Sequence, residues 1–324
     1  MTLMTMVQAL NSALKLELKF DKKVIILGED VGKDGGVFRV TDNLWKEFGD
    51  NRVIDTPLSE AAIVGTAIGL AINGFKPVAE IQFDGFIYPG FDQLICHAAR
   101  FRNRTRGRMT CPLVLRAPYS AGIRALEHHS ESMEAIYAHT PGLKVVIPAT
   151  PYDAKGLLAA SIQDPDPVIF LEPKRVYRAI KEEVPDSRYT IPLGKANIIQ
   201  SGENVTLISW GSMLHVAKQA AQQVADSCSV EVIDLRTIKP MDTETILASV
   251  KKTGRCVIVQ EAPMSGGLAS EIIARINEKA LSSLQAPVIR VTGFDTVVPL
   301  GKLEDFYLPN SQRVVDAIVK VMSF

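Results

Sequence analysis

The sequence predicts an α/β protein of two domains, the first built on a mainly parallel sheet. Three observations lead there. Short apolar runs suited to buried strands, such as Val24-Ile25-Ile26-Leu27 and Val205-Thr206-Leu207-Ile208, alternate with amphipathic stretches of helical length. The alternation lapses from residue 174 to about 195, where the chain is charged, Pro-containing and weakly periodic, and then resumes. A length of 324 residues is enough for two cores. The expected division is a first domain over residues 1–180, a surface linker over 181–195 and a second domain over 196–324.

Residues 3–19 read as an amphipathic helix, followed by the apolar strand Lys23–Asp30, which ends in acids. Gly35-Gly36 marks a loop and Arg52–Asp55 a short strand. Pro57 closes the next turn, and Ser59 is placed to cap a helix that starts at Glu60 and stops near Asn73-Gly74. Between Glu60 and Ile72 there is no further charge, so this helix is expected to be buried on most sides. Ala61, Gly65 and Gly69 recur every fourth position and predict a close helix crossing. Strands follow at Pro77–Phe83, Pro112–Arg116, Leu143–Pro148 and Pro167–Leu171, with helices at about Pro89–Arg102 and at Asp153–Ser161. In the second half, strands Val205–Ser209, Val230–Asp234, Cys256–Gln260 and Val288–Val291 alternate with helices near 213–226, 242–250, 268–281 and 311–322.

Composition narrows the function. Thirty-six basic and thirty-six acidic residues cancel, which argues against nucleic acid or an anionic membrane as the main partner. Arg100, Arg102, Arg104, Arg106 and Arg108 crowd one connection, but no aromatics interleave with them, and a salt-bridged subunit surface is expected instead. Four cysteines without a C-x-x-C pair fit reduced thiols, and Met1–Met6 shows no leader pattern, so a cytoplasmic protein is expected.

Neither the dinucleotide fingerprint, the P-loop nor a G-x-S-x-G elbow occurs. Trp210-Gly211-Ser212 could cradle an anion but is read as structural. Glu60 has two readings: a surface acid complementing the helix dipole, or an acid held in an apolar site where it can share a proton with a ligand. His128 and His129, between Glu127 and Glu131, match no helical metal pattern; adjacent side chains in extended chain point apart, while an imidazole near this end of the sheet suits proton transfer. Of Phe83, Phe86, Tyr88 and Phe91, core packing is the ordinary reading, and Phe86 beside Gly85 is the one suited to stacking on a flat ring.

Taken together, Leu27–Val31, Asp55–Glu60, Glu80–Phe83, His129-Ser130, Pro141–Val146, Pro167–Lys174, Asp234–Thr237 and Thr253–Arg255 resemble one family. It is the β subunits of the thiamine-diphosphate-dependent 2-oxoacid dehydrogenases, and the likeness runs from Met4 to Phe324. The resemblance implies a pyrimidine-binding first domain, a transketolase-type C-terminal domain, and an α2β2 assembly with cofactor at the subunit seams. It also accounts for the missing G-D-G and N-N motifs for Mg2+ and diphosphate, which the α subunit supplies in this family.

By position, Glu60 matches the glutamate that hydrogen-bonds the pyrimidine ring and favours its imino tautomer. Leu58 matches a residue beneath the bent cofactor, Phe86 the aromatic stacked on the pyrimidine, and Glu29 an acid near it. His129 matches the histidine of proton transfer or lipoyl acylation. A monovalent cation, K+ in type, is implied at Leu113, Ser161, Asp164 and Asp166. The implied reaction is oxidative decarboxylation of a 2-oxoacid with acylation of a lipoyl-lysine on a dihydrolipoyl acyltransferase core. Glu80–Phe83, Pro89–Gln93 and Leu171–Lys174 look closer to branched-chain members, with pyruvate as the alternative. A mainly structural subunit docking the acyltransferase core and a self-sufficient transketolase-like enzyme are the competing readings.

Overall fold

Side chains of successive residues in the strand Val24–Gly28 face two different cores, and the first domain is layered accordingly. In the computed structural model, which describes residues 1–324, Ile26 and Val78 point toward the helices Met6–Phe20 and Pro151–Gln163. Leu27 and Ala79 point the other way, into the core that holds Ile63, Val64 and Ala67 of the helix Glu60–Ile72. Burial on both faces is what a parallel sheet requires, and it explains why these strands read as unbroken apolar runs.

The sheet has seven strands in the order Thr237–Lys239, Lys144–Val146, Val168–Pro173, Val114–Tyr119, Lys76–Glu80, Val24–Gly28 and Val53–Asp55. All pair in parallel except Thr237–Lys239, which comes from the second half of the chain and runs antiparallel to Lys144–Val146. The second domain has a five-stranded sheet ordered Ile289–Val291, Cys256–Val259, Val205–Ser209, Val230–Asp234 and Asn197–Gln200, of which only the last is antiparallel. Helices Met213–Gln223, Thr243–Thr253, Leu268–Ala280 and Ser311–Met322 flank it. One core runs through both domains, joining Leu115 and Ile147 of the first to Ile208, Leu235 and Ile272 of the second.

Several expectations are corrected. Residues 181–195, expected as a surface linker, carry a strand as well: Lys181–Val184 pairs antiparallel with a strand at Thr2–Thr5, Val184 is fully buried, and Ile191 packs into the first core. The few apolar residues of that stretch are its anchors, which charge content conceals. The first helix begins at Met6, because Thr5 and Gln8 form a reciprocal capping box there. The helix expected at Pro89–Arg102 is three pieces, Tyr88–Gln93, a widened turn at Leu94–Ala98, and Phe101–Arg104.

The helix Glu60–Ile72 has the expected bounds, but in this chain Ala62, Thr66 and Ile72 are exposed. Ser59 makes no side-chain cap bond. Close helix approach occurs at Gly90, where a Cβ would lie 2.9 Å from the carbonyl of Glu60, and not along the Gly65/Gly69 row; around Gly69 there is open space. The basic run is largely satisfied by its own chain: Arg102 pairs with Asp166 at 2.6 Å, and Arg100, Arg104 and Arg108 donate to nearby carbonyls. All four cysteines are free thiols, and no helix is long and apolar enough to cross a membrane.

Candidate active site

Because Val53–Asp55, Val24–Gly28, Lys76–Glu80 and Val114–Tyr119 run in one direction, the loops after them open along one edge of the sheet. Each loop carries an expected residue: Glu29 follows the second of these strands, Leu58 and Glu60 the first, Phe86 the third and His129 the last.

The edge is built on a buried ion network. Arg116 is fully buried and makes two parallel bonds to Glu172, Nε to Oε1 at 2.6 Å and Nη2 to Oε2 at 2.8 Å. Its Nη1 reaches Glu80 Oε2 on the opposite neighbouring strand at 2.7 Å, and the Tyr177 hydroxyl adds a bond to Glu172 at 2.6 Å. Burial works against the guanidinium charge, but Glu172 and Glu80 outweigh it and hold the arginine above its usual pKa. For Glu80, burial prevails over Arg116 and raises the carboxyl. Glu80 also borders the loop after Glu29, 3.3 Å from where a Gly36 Cβ would stand at φ +79°. Asp55 holds the same loop by accepting from the amides of Gly32 at 2.5 Å and Lys33 at 3.1 Å.

Phe86 and His129 meet. The imidazole lies 4.9 Å from the Phe86 ring centroid, edge to face, and 4.3 Å from that of Phe83. This approach depends on Gly85, whose Cβ, if present, would stand 2.2 Å from the His128 carbonyl oxygen. His129 Nδ1 is 2.8 Å from the Glu127 carbonyl. A carbonyl can only accept, so the proton sits on Nδ1 and Nε2 of the neutral ring keeps its lone pair. His128, at φ +65°, turns away toward Glu131 at 3.6 Å and the Tyr88 ring, so the two imidazoles do not converge on a metal.

Glu60 is half-exposed, and its carboxylate has no hydrogen bond or ion pair within the chain. The expectation of an acid withdrawn from water is therefore not met by this chain by itself. The raised carboxyl belongs to its neighbour Glu29, pushed up by partial burial, then by Asp30 and by Glu60. Leu58 is 71% exposed, an apolar side chain at the rim with nothing of its own chain over it.

Sequence reasoning missed the acids behind the aromatic wall. Asp84 is buried, accepts from Tyr137 Oη at 2.7 Å and the Met133 amide at 3.1 Å, and is pushed up to about 6 by burial. Glu134 is pushed up to about 7 by burial and accepts from Trp210 Nε1 of the second domain at 3.3 Å. The turn Trp210-Gly211-Ser212 is tied to the interior, with Ser212 Oγ donating to the buried Glu261 at 3.1 Å. The one signal available was a charge inside an otherwise apolar run, as at Glu80, Arg116 and Glu172.

The residues expected to hold a monovalent cation already have partners within the chain. Asp164 takes Lys144 Nζ at 2.7 and 2.6 Å on its two oxygens, and Asp166 takes Arg102. The Ser161 carbonyl accepts from the Asp164 amide and the Leu113 carbonyl from the Val168 amide, while Ser161 Oγ donates to Leu157. Lysine, arginine and amide partners take part of this donor set, while the Leu113 and Ser161 carbonyls each keep a second lone pair.

Residues 3–180 match the family described as "Transketolase, pyrimidine binding domain", and residues 194–314 match "Transketolase, C-terminal domain". The chain is 54% identical over 322 residues to the pyruvate dehydrogenase E1 component subunit beta of Acholeplasma laidlawii, covering 99% of this chain and 98% of that one. It is 50% identical over 325 residues to the subunit of the same name from Bacillus subtilis (strain 168), over the full length of both. Among solved structures, a split-gene transketolase described as an inactive beta4 tetramer aligns with a TM-score of 0.81 at 22% identity, covering 99% of this chain and 98% of that one. That likeness carries the two-domain α/β fold alone. With both halves matched and about half of its residues shared with these subunits end to end, the chain belongs to the family of β subunits of the thiamine-diphosphate-dependent 2-oxoacid dehydrogenases.

Proposed function

We propose that this chain is the β subunit of a pyruvate dehydrogenase decarboxylating component, active only with an α subunit in an α2β2 heterotetramer. The branched-chain preference expected from short sequence matches gives way to pyruvate, which the names of its full-length relatives favour. The observation that carries the reading is Glu60: an acid at a helix start, on the edge shared with Phe86 and His129, with no partner of its own chain.

The residues fit half of a thiamine site. Glu60 offers a carboxyl to a ring nitrogen, Phe86 a flat face, Leu58 an apolar support, and Glu29 a neighbouring acid whose own carboxyl is raised by partial burial. Thiamine diphosphate, when bound, supplies the carbanion chemistry by which the 2-oxoacid loses carbon dioxide, with Mg2+ and diphosphate held by the α subunit. A half-exposed Glu60 and an uncovered Leu58 support closure by that second polypeptide, which would withdraw the acid from water and strengthen its bond to the ring. His129 presents Nε2 for a proton during transfer of the acyl group to a lipoyl-lysine of the acyltransferase core, and the ring is held by Glu127 and the two phenylalanines.

Reconstitution with the α subunit tests this. Glu60→Gln keeps size and assembly, and is expected to cost ~10²–10³ in turnover of pyruvate. Unchanged turnover would leave only the structural-subunit reading, and full activity of the isolated chain would refute the divided site. A higher kcat/KM for branched 2-oxoacids than for pyruvate would overturn the substrate.

A further inference from the structure

The loop that carries His129 is gripped from the other domain. The Ala121 amide donates to the Glu261 carboxylate, and the amides of Gly122 and Arg124 both donate to Glu304 Oε1, at 2.6 and 3.2 Å. Arg124 Nη2 adds a bond to Asp305 at 2.7 Å. Glu304 and Glu261 are 1% and 3% exposed, so the acceptor carboxylates are shielded from water, while the Gly122 and Arg124 donors are only partly buried.

The loop has a conformation that needs such support. Ser120, Arg124 and His128 have φ of +75°, +53° and +65°, a region that side chains disfavour, and Gly122 at +102° has the Arg175 side chain where a Cβ would stand.

One cation balances the grip. Lys174 is 4% exposed and its Nζ makes no hydrogen bond; burial pushes its ammonium down to about 8, against the pull of the nearby Glu261, Asp84, Glu304 and Glu131. Its ammonium lies 5.6 Å from the centroid of Phe83, the ring that His129 packs against. Lys174 thus lies between the acids that anchor the loop and the ring wall.

We propose that Glu304 is a positioning residue for His129: from the C-terminal domain it fixes, through the amides of Gly122 and Arg124, the loop that delivers the imidazole to the Phe83 and Phe86 rings. This rests on the reading of His129 as a proton-transfer group, and it gives the C-terminal domain a part in the chemistry.

Glu304→Gln and Glu304→Leu separate the acceptor from the volume, since glutamine keeps a carbonyl oxygen for the two amides and leucine has none. In the full chain, amide exchange across residues 120–131 is expected to quicken ~tenfold or more in Glu304→Leu and little in Glu304→Gln. In the assembled enzyme Glu304→Leu is expected to lower kcat ~tenfold with KM nearly unchanged, and to add nothing to His129→Ala. Unchanged exchange, retained kcat, or additivity with His129→Ala would each overturn the proposal. Should Glu304→Leu not fold, Glu304→Asp, which withdraws the oxygens by one methylene, takes its place with the same expectations. If His129→Ala itself leaves turnover intact, the functional reading of His129 fails and the positioning role falls with it; the exchange measurement then distinguishes that failure from a loop that Glu304 does not hold.

Discussion

Arg116 and Glu172 form a bidentate ion pair, with bonds of 2.6 and 2.8 Å, between neighbouring parallel strands and out of reach of solvent. It lies directly beneath the edge on which the site residues stand, and Glu80 completes it from the other side. Arg116→Met would leave two buried carboxylates without a cation, a defect of ~3–5 kcal/mol. Arg116→Lys should be nearly as harmful, because an ammonium cannot reproduce the fork. The expected outcome is low soluble yield and a sharply lowered thermal midpoint for both, with partial recovery when Glu80→Gln is added to Arg116→Met.

Gly85→Ala tests the contact between Phe86 and His129. The added methyl would stand 2.2 Å from the His128 carbonyl oxygen and 2.6 Å from Glu131 Cγ, so the histidine loop must shift. Backbone crowding of this kind costs ~1–3 kcal/mol. A modestly lowered thermal midpoint is expected, with turnover in the reconstituted enzyme falling far more than stability. Equal losses in both would mean that the apposition of the two rings is structural only.

How much of this was legible in the sequence follows from what each feature depends on. The helix Glu60–Ile72 and the strands Val205–Ser209 and Val230–Asp234 have the bounds read from the sequence, because local periodicity and turn residues set them. The four connections bearing Glu29, Leu58 with the helix start at Glu60, Phe86 and His129 were legible as such, and the alternation implied parallel strands that would bring them together. Strand register was not legible. Hence Arg116 between Glu80 and Glu172, Lys174 among four acids, and the amide grip of Glu304 could not be read, since each joins residues far apart in the chain. The strands Thr237–Lys239 and Lys181–Val184 escaped for the same reason: each is short and stable only through its pairing partner.

The seam acid Glu134 gives stability a pH dependence with a definite sign. Its carboxyl is raised from 4.5 to about 7, mainly by burial, so the folded chain holds a proton that the unfolded chain has released. Stability from this group is therefore greatest at and below pH 4.5, declines as pH rises toward 7, and above that the full cost of a buried charge is present. Glu134→Gln keeps the oxygen that accepts from Trp210 and removes the ionisation. The variant should be more stable than the parent at pH ~8, by up to ~3 kcal/mol, with the gain shrinking toward pH ~5. Denaturant titrations at the two pH values check this, and a gain that grows on acidification would reverse the assignment.

Separating the two domains should destroy the first. Residues 1–195 made alone would lose Thr237–Lys239, exposing the edge of Lys144–Val146, an unpaired strand of the kind that recruits other chains. The cut would also strip Ile208, Leu235 and Ile272 from the core they share with Leu115 and Ile147. Asp153, 2% exposed, would lose the bidentate bonds of Arg236 at 2.8 and 2.6 Å. Each loss adds to the others: apolar area returned to water at ~25 cal/mol per Å2, an open ladder, and a buried acid without its cation. Size-exclusion chromatography of residues 1–195 should therefore show aggregate in place of a monomer, with no cooperative melting transition. Co-expression with residues 196–324 should restore a soluble complex, because the missing strand and core return without a covalent link. A well-folded monomer of the first fragment would show that the shared core contributes far less than its burial implies.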